Sequence, residues 1–246
     1  MQKLKQLYRS SYPGENVITQ LTYENGEWHP TTEMVPNQVF NTFTTTQALV
    51  IGNGESRKDF DLTHIANHTG GLLGSNRLQS YGCNALYRDF TPDFLIAVGN
   101  GIVKEIAEST YTAENIVYAN GQHVIDYPGK FYLIPQNVAF DAGSLAVYLA
   151  CFDGHKKIFL MGFDGYDEAG NVNNIYKDTS GYPASTEDQN ETFWNLSLST
   201  VMDTYPEVEF ISIMPTAQWY VHAMFDSKPN FRQIDYRDFV LEADVG

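Results

Sequence analysis

The sequence predicts an α/β protein of Rossmann-like type: a mainly parallel sheet with helices on both faces, preceded by an N-terminal hairpin-like extension. Short apolar runs end abruptly in glycine and small polar residues at 47–54, 94–101 and 158–165. This is the pattern of buried strands entering tight turns. Helical stretches lie between the strand candidates, as in βαβ units. In an open parallel sheet the carboxyl ends of the strands share an edge, and ligands lie in the crevice outside them. The three glycine-bearing ends are therefore expected to converge.

The elements follow in order. Residues 16–23 read as a strand, Glu24-Asn25-Gly26-Glu27 as a type I′ hairpin turn, and Trp28 lies on the returning arm. Residues 1–43 form the N-terminal extension, which covers a sheet edge or a partner subunit. The run Ala48-Leu49-Val50-Ile51 leads into Gly52-Asn53-Gly54-Glu55-Ser56. Glycines there let a ligand approach the main chain, and Asn53 and Ser56 offer hydrogen bonds. A short helix with an acidic start is expected over 59–68, placing His64 and His68 on one face as exposed histidines rather than a zinc pair. A buried strand at 94–98 ends in Gly99-Asn100-Gly101, a helix follows over 102–109, and 116–119 and 131–134 are further strands.

Asp141 is the N-cap of a helix that is apolar on most sides. Its first residues, Gly143 and Ser144, either present backbone N–H groups and a hydroxyl to an anion or permit tight packing on the sheet. A strand at 158–161 enters Gly162-Phe163-Asp164. The polar stretch 167–190 reads as a substrate loop, 191–204 as a helix, 208–213 as a last strand and the segment holding Tyr220, Met224 and Phe225 as a helix. The Rossmann-like domain is bounded at 44–229, and 230–246 is set apart as an aromatic, acidic tail.

Composition limits the function. The 246 residues are 43% hydrophobic and 14% aromatic, which excludes a disordered chain. Fifteen basic against thirty acidic residues leave a net charge of −15, which disfavours nucleic-acid partners. Lys3, Lys5 and Arg9, and Lys156 with Lys157, read as solvated surface. Cys83 and Cys151 fit no metal-ligand spacing and are expected to be buried thiols. No apolar run is long enough to span a bilayer and no signal-peptide core follows Met1, so a cytoplasmic location is expected. Self-association as a homo-oligomer is an expectation from the aromatic N-terminal arm.

Four blocks, Gly52-Asn53-Gly54-Glu55-Ser56, Cys83-Asn84-Ala85-Leu86-Tyr87, Gly143-Ser144 with its helix, and residues 157–164, resemble in the same order those of the bacterial sialyltransferases of glycosyltransferase family 42. They are also similar to the related domain of flagellar motility accessory factors and archaeal hydroxymethylpterin pyrophosphokinases. The resemblance covers roughly residues 46–215 and implies a nucleotide held in the crevice, with a CMP-sialic-acid-like donor bound without metal. It assigns nucleotide contacts to Gly52, Asn53, Gly54, Ser56, Asn84, Gly143, Ser144, Gly162 and Asp164, and places Tyr166 and Tyr176 near the donor phosphate. That family uses a histidine as general base between the polar loop and the next helix, whereas residues 183–195 hold none. Glu187 and Asp188 are the expected substitutes, with Glu191, or His123 or His222 if the fold brings one in, as further options. The resulting expectation is a nucleotide-sugar-dependent glycosyltransferase acting on a hydroxyl acceptor. The alternatives are a pyrophosphokinase-like enzyme using ATP and Mg²⁺ held by Asp164 and Asp167, and a non-catalytic nucleotide or sugar binder. No cofactor is implied outside the ATP reading.

Overall fold

The structure is a computed structural model that describes residues 2–9, 15–36, 46–66, 78–165, 173–182, 191–218 and 220–246. Three N-terminal strands come first, β1 (Gln2–Arg9), β2 (Glu15–Glu24) and β3 (Glu27–Pro36), paired antiparallel as a meander. Asn25 and Gly26, both at positive φ (53° and 89°), make the turn between β2 and β3. Among the described residues, β1 is the strand of the three that pairs to the rest of the sheet, running parallel to a later strand through Lys5 and Tyr132.

The domain begins with β4 (Gln47–Ile51), then α1 (Thr63–Ala66), β5 (Gln79–Cys83), β6 (Phe94–Ile96), α2 (Asn100–Glu108), α3 (Tyr111–Glu114), β7 (Ile116–Ala119), α4 (Gly121–Asp126) and β8 (Tyr132–Leu133). It continues with α5 (Ala142–Phe152), β9 (Lys157–Met161), α6 (Glu191–Thr204), β10 (Glu209–Ile213), α7 (Ala223–Asp226), β11 (Phe231–Ile234) and α8 (Tyr236–Glu242). The strand order is β11-β10-β9-β4-β5-β6-β7-β8-β1-β2-β3, and every pairing from β11 to β8 is parallel. This is the expected α/β, Rossmann-like architecture. The residues from 230 onward add a parallel strand and a helix to it.

Both faces of the central parallel strands are buried, as parallel sheets require. Along β4, Leu49 and Ile51 join a core with Ile102, Val103 and Ile106 of α2 and Phe239 of α8, whereas Ala48 and Val50 join the opposite core with α5 and with Leu198, Val201 and Met202 of α6. The two-residue period of the strand feeds two apolar layers.

The chain lays down β4 to β8 in one direction, then crosses back to place β9, β10 and β11 on the other side of β4. β4 and β9 are therefore the pair at which the strand order reverses. Their carboxyl ends open the crevice where such sheets bind ligands.

Candidate functional site

The loops leaving β4 and β9 are in backbone contact. Gly52 N–H donates to Met161 O at 2.8 Å and Gly54 N–H to Gly162 O at 2.9 Å. A Cβ on Gly52 would lie 2.3 Å from Gly162 O, and one on Gly54 would lie 2.4 Å from Asp164 Cγ. Gly162 itself holds φ at +72°, a region other residues rarely adopt. Glycine is thus needed at these positions so that the two strand ends can meet.

Beyond them lies a cavity of about 430 Å³, within the range of small-molecule sites. One wall consists of Gly52, Asn53 and Gly54, with Cys83 and Asn84 after β5. Asp141 to Ser144 at the start of α5 and Gly162 to Gly165 after β9 form the next. Trp194 and Leu198 of α6, Ser212 and Met214, and Phe231 and Gln233 of β11 complete the far side with Val221 and His222. Phe193 and Tyr220, at 43% and 65% exposure, also line it.

Asn53 Nδ2 donates to Cys83 O at 3.3 Å and to the Tyr182 hydroxyl at 3.2 Å. Asn84 holds φ at +48°, and its Oδ1 accepts from Val98 N–H at 3.2 Å. Both oxygens of Asp164 are committed to Ser56: Oδ2 accepts the amide N–H at 2.6 Å and Oδ1 accepts the hydroxyl. Burial raises the Asp164 carboxyl above its ordinary range, opposed by those two Ser56 bonds. Asp141 Oδ1 accepts from Ser144 N–H at 3.0 Å, and burial raises this carboxyl too. Burial and the facing Asp141 charge push the Cys83 thiol up to about 12, so it stays protonated at neutral pH.

Eight of the nine expected nucleotide-contact residues line the cavity: Gly52, Asn53, Gly54, Asn84, Gly143, Ser144, Gly162 and Asp164. Ser56 does not. It is 1% exposed and stands behind Asp164 as the donor that orients it. The Ser144 N–H expected to meet an anion is already taken, because the N-cap carboxylate of Asp141 occupies it.

Tyr176, expected beside a donor phosphate, also stands outside the described cavity lining. It is 5% exposed, its hydroxyl donates to Asp89 at 2.6 Å and accepts from Arg57 Nη2 at 2.9 Å. Arg57 in turn donates from Nε to Gly52 O at 2.8 Å. This chain of bonds ties the segment 173–182 to the β4 loop, helped by Ile175 N–H donating to Asn53 O at 2.9 Å. Tyr166, Glu187 and Asp188 lie outside the described residues, as do Asp167 and His68. His123 is buried away from the cavity, with Nε2 3.1 Å from Val98 O.

His222 does line the cavity, and its Nδ1 accepts from Met224 N–H at 3.2 Å as the N-cap of α7. A neutral ring in that pose carries its proton on Nε2. It offers the cavity a donor rather than a base. The fold thus brings in His222, one of the two histidines named from sequence, whereas Tyr182, Trp194 and Gln233 were not assigned to the site from sequence. These three come from separate segments, the stretch 173–182, α6 and β11, and no local spacing joins them.

Among the described residues no group of three or more His, Cys, Asp or Glu side chains could hold a metal, and no helix is long and apolar enough to cross a membrane. No protein-family model matches the sequence, and no curated protein matches it. Among solved structures, the chain is similar in fold to the monofunctional alpha-2,3-sialyltransferase Cst-I of Campylobacter jejuni, at 14% identity over 68% of this chain and 75% of that one, with a TM-score of 0.48. It is also similar to the sialyltransferase CstII of the same organism, solved in complex with the substrate analogue cytidine-5'-monophosphate, at 14% identity over 68% of this chain and 79% of that one, with a TM-score of 0.43.

Proposed function

We propose that this chain is a glycosyltransferase that moves a sugar from a nucleotide sugar with one phosphate, of the CMP-sialic acid kind, to a hydroxyl acceptor. The observation that carries this reading is the convergence of the four sequence blocks on one cavity at the β4–β9 reversal. In the proposed step the acceptor oxygen attacks the anomeric carbon while the bond from that carbon to the phosphate oxygen breaks. The nucleotide monophosphate leaves with the electron pair, and the acceptor proton passes to a base.

Asp164 is given an orienting role rather than that of the base, because Ser56 donates to both of its oxygens and fixes the carboxylate against the β4 loop. His222 is turned the wrong way, its free nitrogen being a donor. Glu187 or Asp188 is therefore retained as the proposed base, and Tyr166 as the proposed contact to the leaving phosphate.

Charge favours this reading over one based on ATP. The described residues lining the cavity include Asp141 and Asp164 but no Lys or Arg, and the stretches 166–172 and 183–190 contain none either. A site of this sign accommodates one phosphate at less electrostatic cost than three.

Thermal-shift measurements with CMP, UDP, GDP and ATP, each with and without magnesium, test the proposal. A ligand that binds only the folded state raises the melting temperature. Stabilisation by CMP without magnesium is expected. Stabilisation by ATP alone, and only with magnesium, would overturn the reading.

A further inference from the structure

Three side chains that line the cavity each carry a buried polar atom without a hydrogen-bond partner among the described residues: Asn53 Oδ1, Asp141 Oδ2 and Gln233 Nε2. Buried polar atoms in folded proteins are nearly always paired. Three unpaired ones around a single cavity mark places where a ligand supplies the partner, and the chemistry of each atom states which kind.

Asn53 has a fixed orientation. Its Nδ2 donates to the Cys83 carbonyl, which can only accept, so turning the amide over would set oxygen against oxygen. The Oδ1 left over requires a donor. Asp141 presents acceptors, and since Ser144 N–H satisfies Oδ1, its Oδ2 also requires a donor. Gln233 Nε2, across the cavity on β11, requires an acceptor.

This arrangement reverses the usual expectation for a helix start at the end of a βα unit. The first turn of α5 is closed by its own carboxylate. A phosphate placed there would find its amide already used and would face a buried negative charge.

Resting on the nucleotide reading above, we infer that Asp141 and Asn53 bind the ribose diol of the nucleotide, and that the phosphate lies away from the start of α5. A carboxylate beside the switch point that accepts from ribose hydroxyls uses the same chemistry as other dinucleotide-binding sheets, although here the residue caps a helix. Burial raises the Asp141 carboxyl, opposed by bonds from Ser144 and Gly143.

Calorimetric titration of the full chain with cytidine 5′-monophosphate, its 2′,3′-dideoxy counterpart and cytidine tests this. Removing the two hydroxyls should weaken binding by roughly ten- to a hundredfold, while removing the phosphate should weaken it by less than about tenfold. Asp141→Asn keeps a good N-cap residue. It should weaken the monophosphate by about tenfold and leave the dideoxy compound unchanged, the signature of a direct coupling.

Equal affinity for the ribo and dideoxy forms would overturn the inference, as would tighter monophosphate binding by Asp141→Asn, which a relieved repulsion would produce. If that variant fails to fold, the comparison of the two nucleotides on the unaltered chain decides alone. Absence of binding by every cytidine compound would defeat the nucleotide reading itself. Hydroxyl-independent binding of the monophosphate would defeat only this assignment.

Discussion

Residues 52–54 and 99–101 are the same tripeptide, Gly-Asn-Gly, each just beyond a buried parallel strand, yet they stand in opposite surroundings. Cβ atoms on Gly52 and Gly54 would collide with Gly162 and Asp164, whereas Gly99 has nothing within 4 Å and Gly101 meets only Gly181 Cα at 3.4 Å. Asn53 is held by two hydrogen bonds and lines the cavity, while Asn100 is exposed at the start of α2. The difference lies in the neighbouring strand. β4 borders β9 where the strand order reverses, and β6 sits between β5 and β7 within an unbroken run. A glycine loop becomes a binding wall through its position in the sheet, not through its spelling.

The largest effect that would sharpen this contrast concerns the glycines. Gly52→Ala should lose more than about 3 kcal/mol, since the obstructing atom is backbone and cannot swing aside. Gly99→Ser, at a helix N-cap with open space, should change stability by less than about 1 kcal/mol. Urea denaturation of both variants measures this, and equal losses would erase the distinction.

The segment 173–182 reaches both tripeptides, through Ile175 on Asn53 and Gly181 beside Gly101. Its buried anchor is Tyr176. Tyr176→Phe leaves Arg57 and Asp89 without their shared hydroxyl and should cost about 1–3 kcal/mol, read as a lower urea midpoint and faster amide exchange over 173–182. Unchanged exchange there would show that the segment is held by other contacts.

At the level of ligand affinity, Asn53→Ala should weaken nucleotide binding by about five- to tenfold. Asn100→Ala should leave it unchanged. Titration calorimetry separates them, and matching losses would indicate that neither asparagine touches the ligand.

The smallest predicted effect is a pH dependence. Burial raises the Asp141 carboxyl above its ordinary value of 3.8, so the native chain binds that proton more tightly than the unfolded chain. This contribution makes stability fall as pH rises from 3.8 through the raised value, and it levels off once both states are ionised. Asp141→Asn removes it and should flatten the melting-temperature profile just above pH 3.8. Asp164 is shifted in the same direction and keeps some of the slope. An unaltered profile would mean that Asp141 is not strained by burial.

Much of the fold was legible because its signals were local. The abrupt change from β-branched residues to glycine marked the ends of β4 and β9, and Asp141 before small residues marked α5. Asn25-Gly26 marked the turn from β2 to β3. β5 was harder to read: Gln79 and Ser80 are polar and Gly82 interrupts it, yet all five residues are buried. Its polarity is absorbed from afar, with Asp93 accepting from both the amide and the hydroxyl of Ser80. β11 and α8 looked like a tail because Arg232 and Glu242 are charged, although they meet each other and Phe239 fills the core beside Phe159. For the site, the family resemblance named glycines and asparagines that line the cavity. It did not predict which donors the protein had already used, so Ser56, Ser144 N–H and Tyr176 read as ligand contacts until their partners Asp164, Asp141 and Asp89 were located.

The central claim is that a nucleotide with a single phosphate occupies the cavity at the β4–β9 reversal. Backbone amide chemical shifts recorded during titration with cytidine 5′-monophosphate test it directly. The largest changes are expected at Gly52 to Gly54, Asn84, Gly143 and Gly162 to Asp164, with Gly99 to Gly101 unmoved. Changes centred on the second tripeptide, or none at saturating nucleotide, would contradict it.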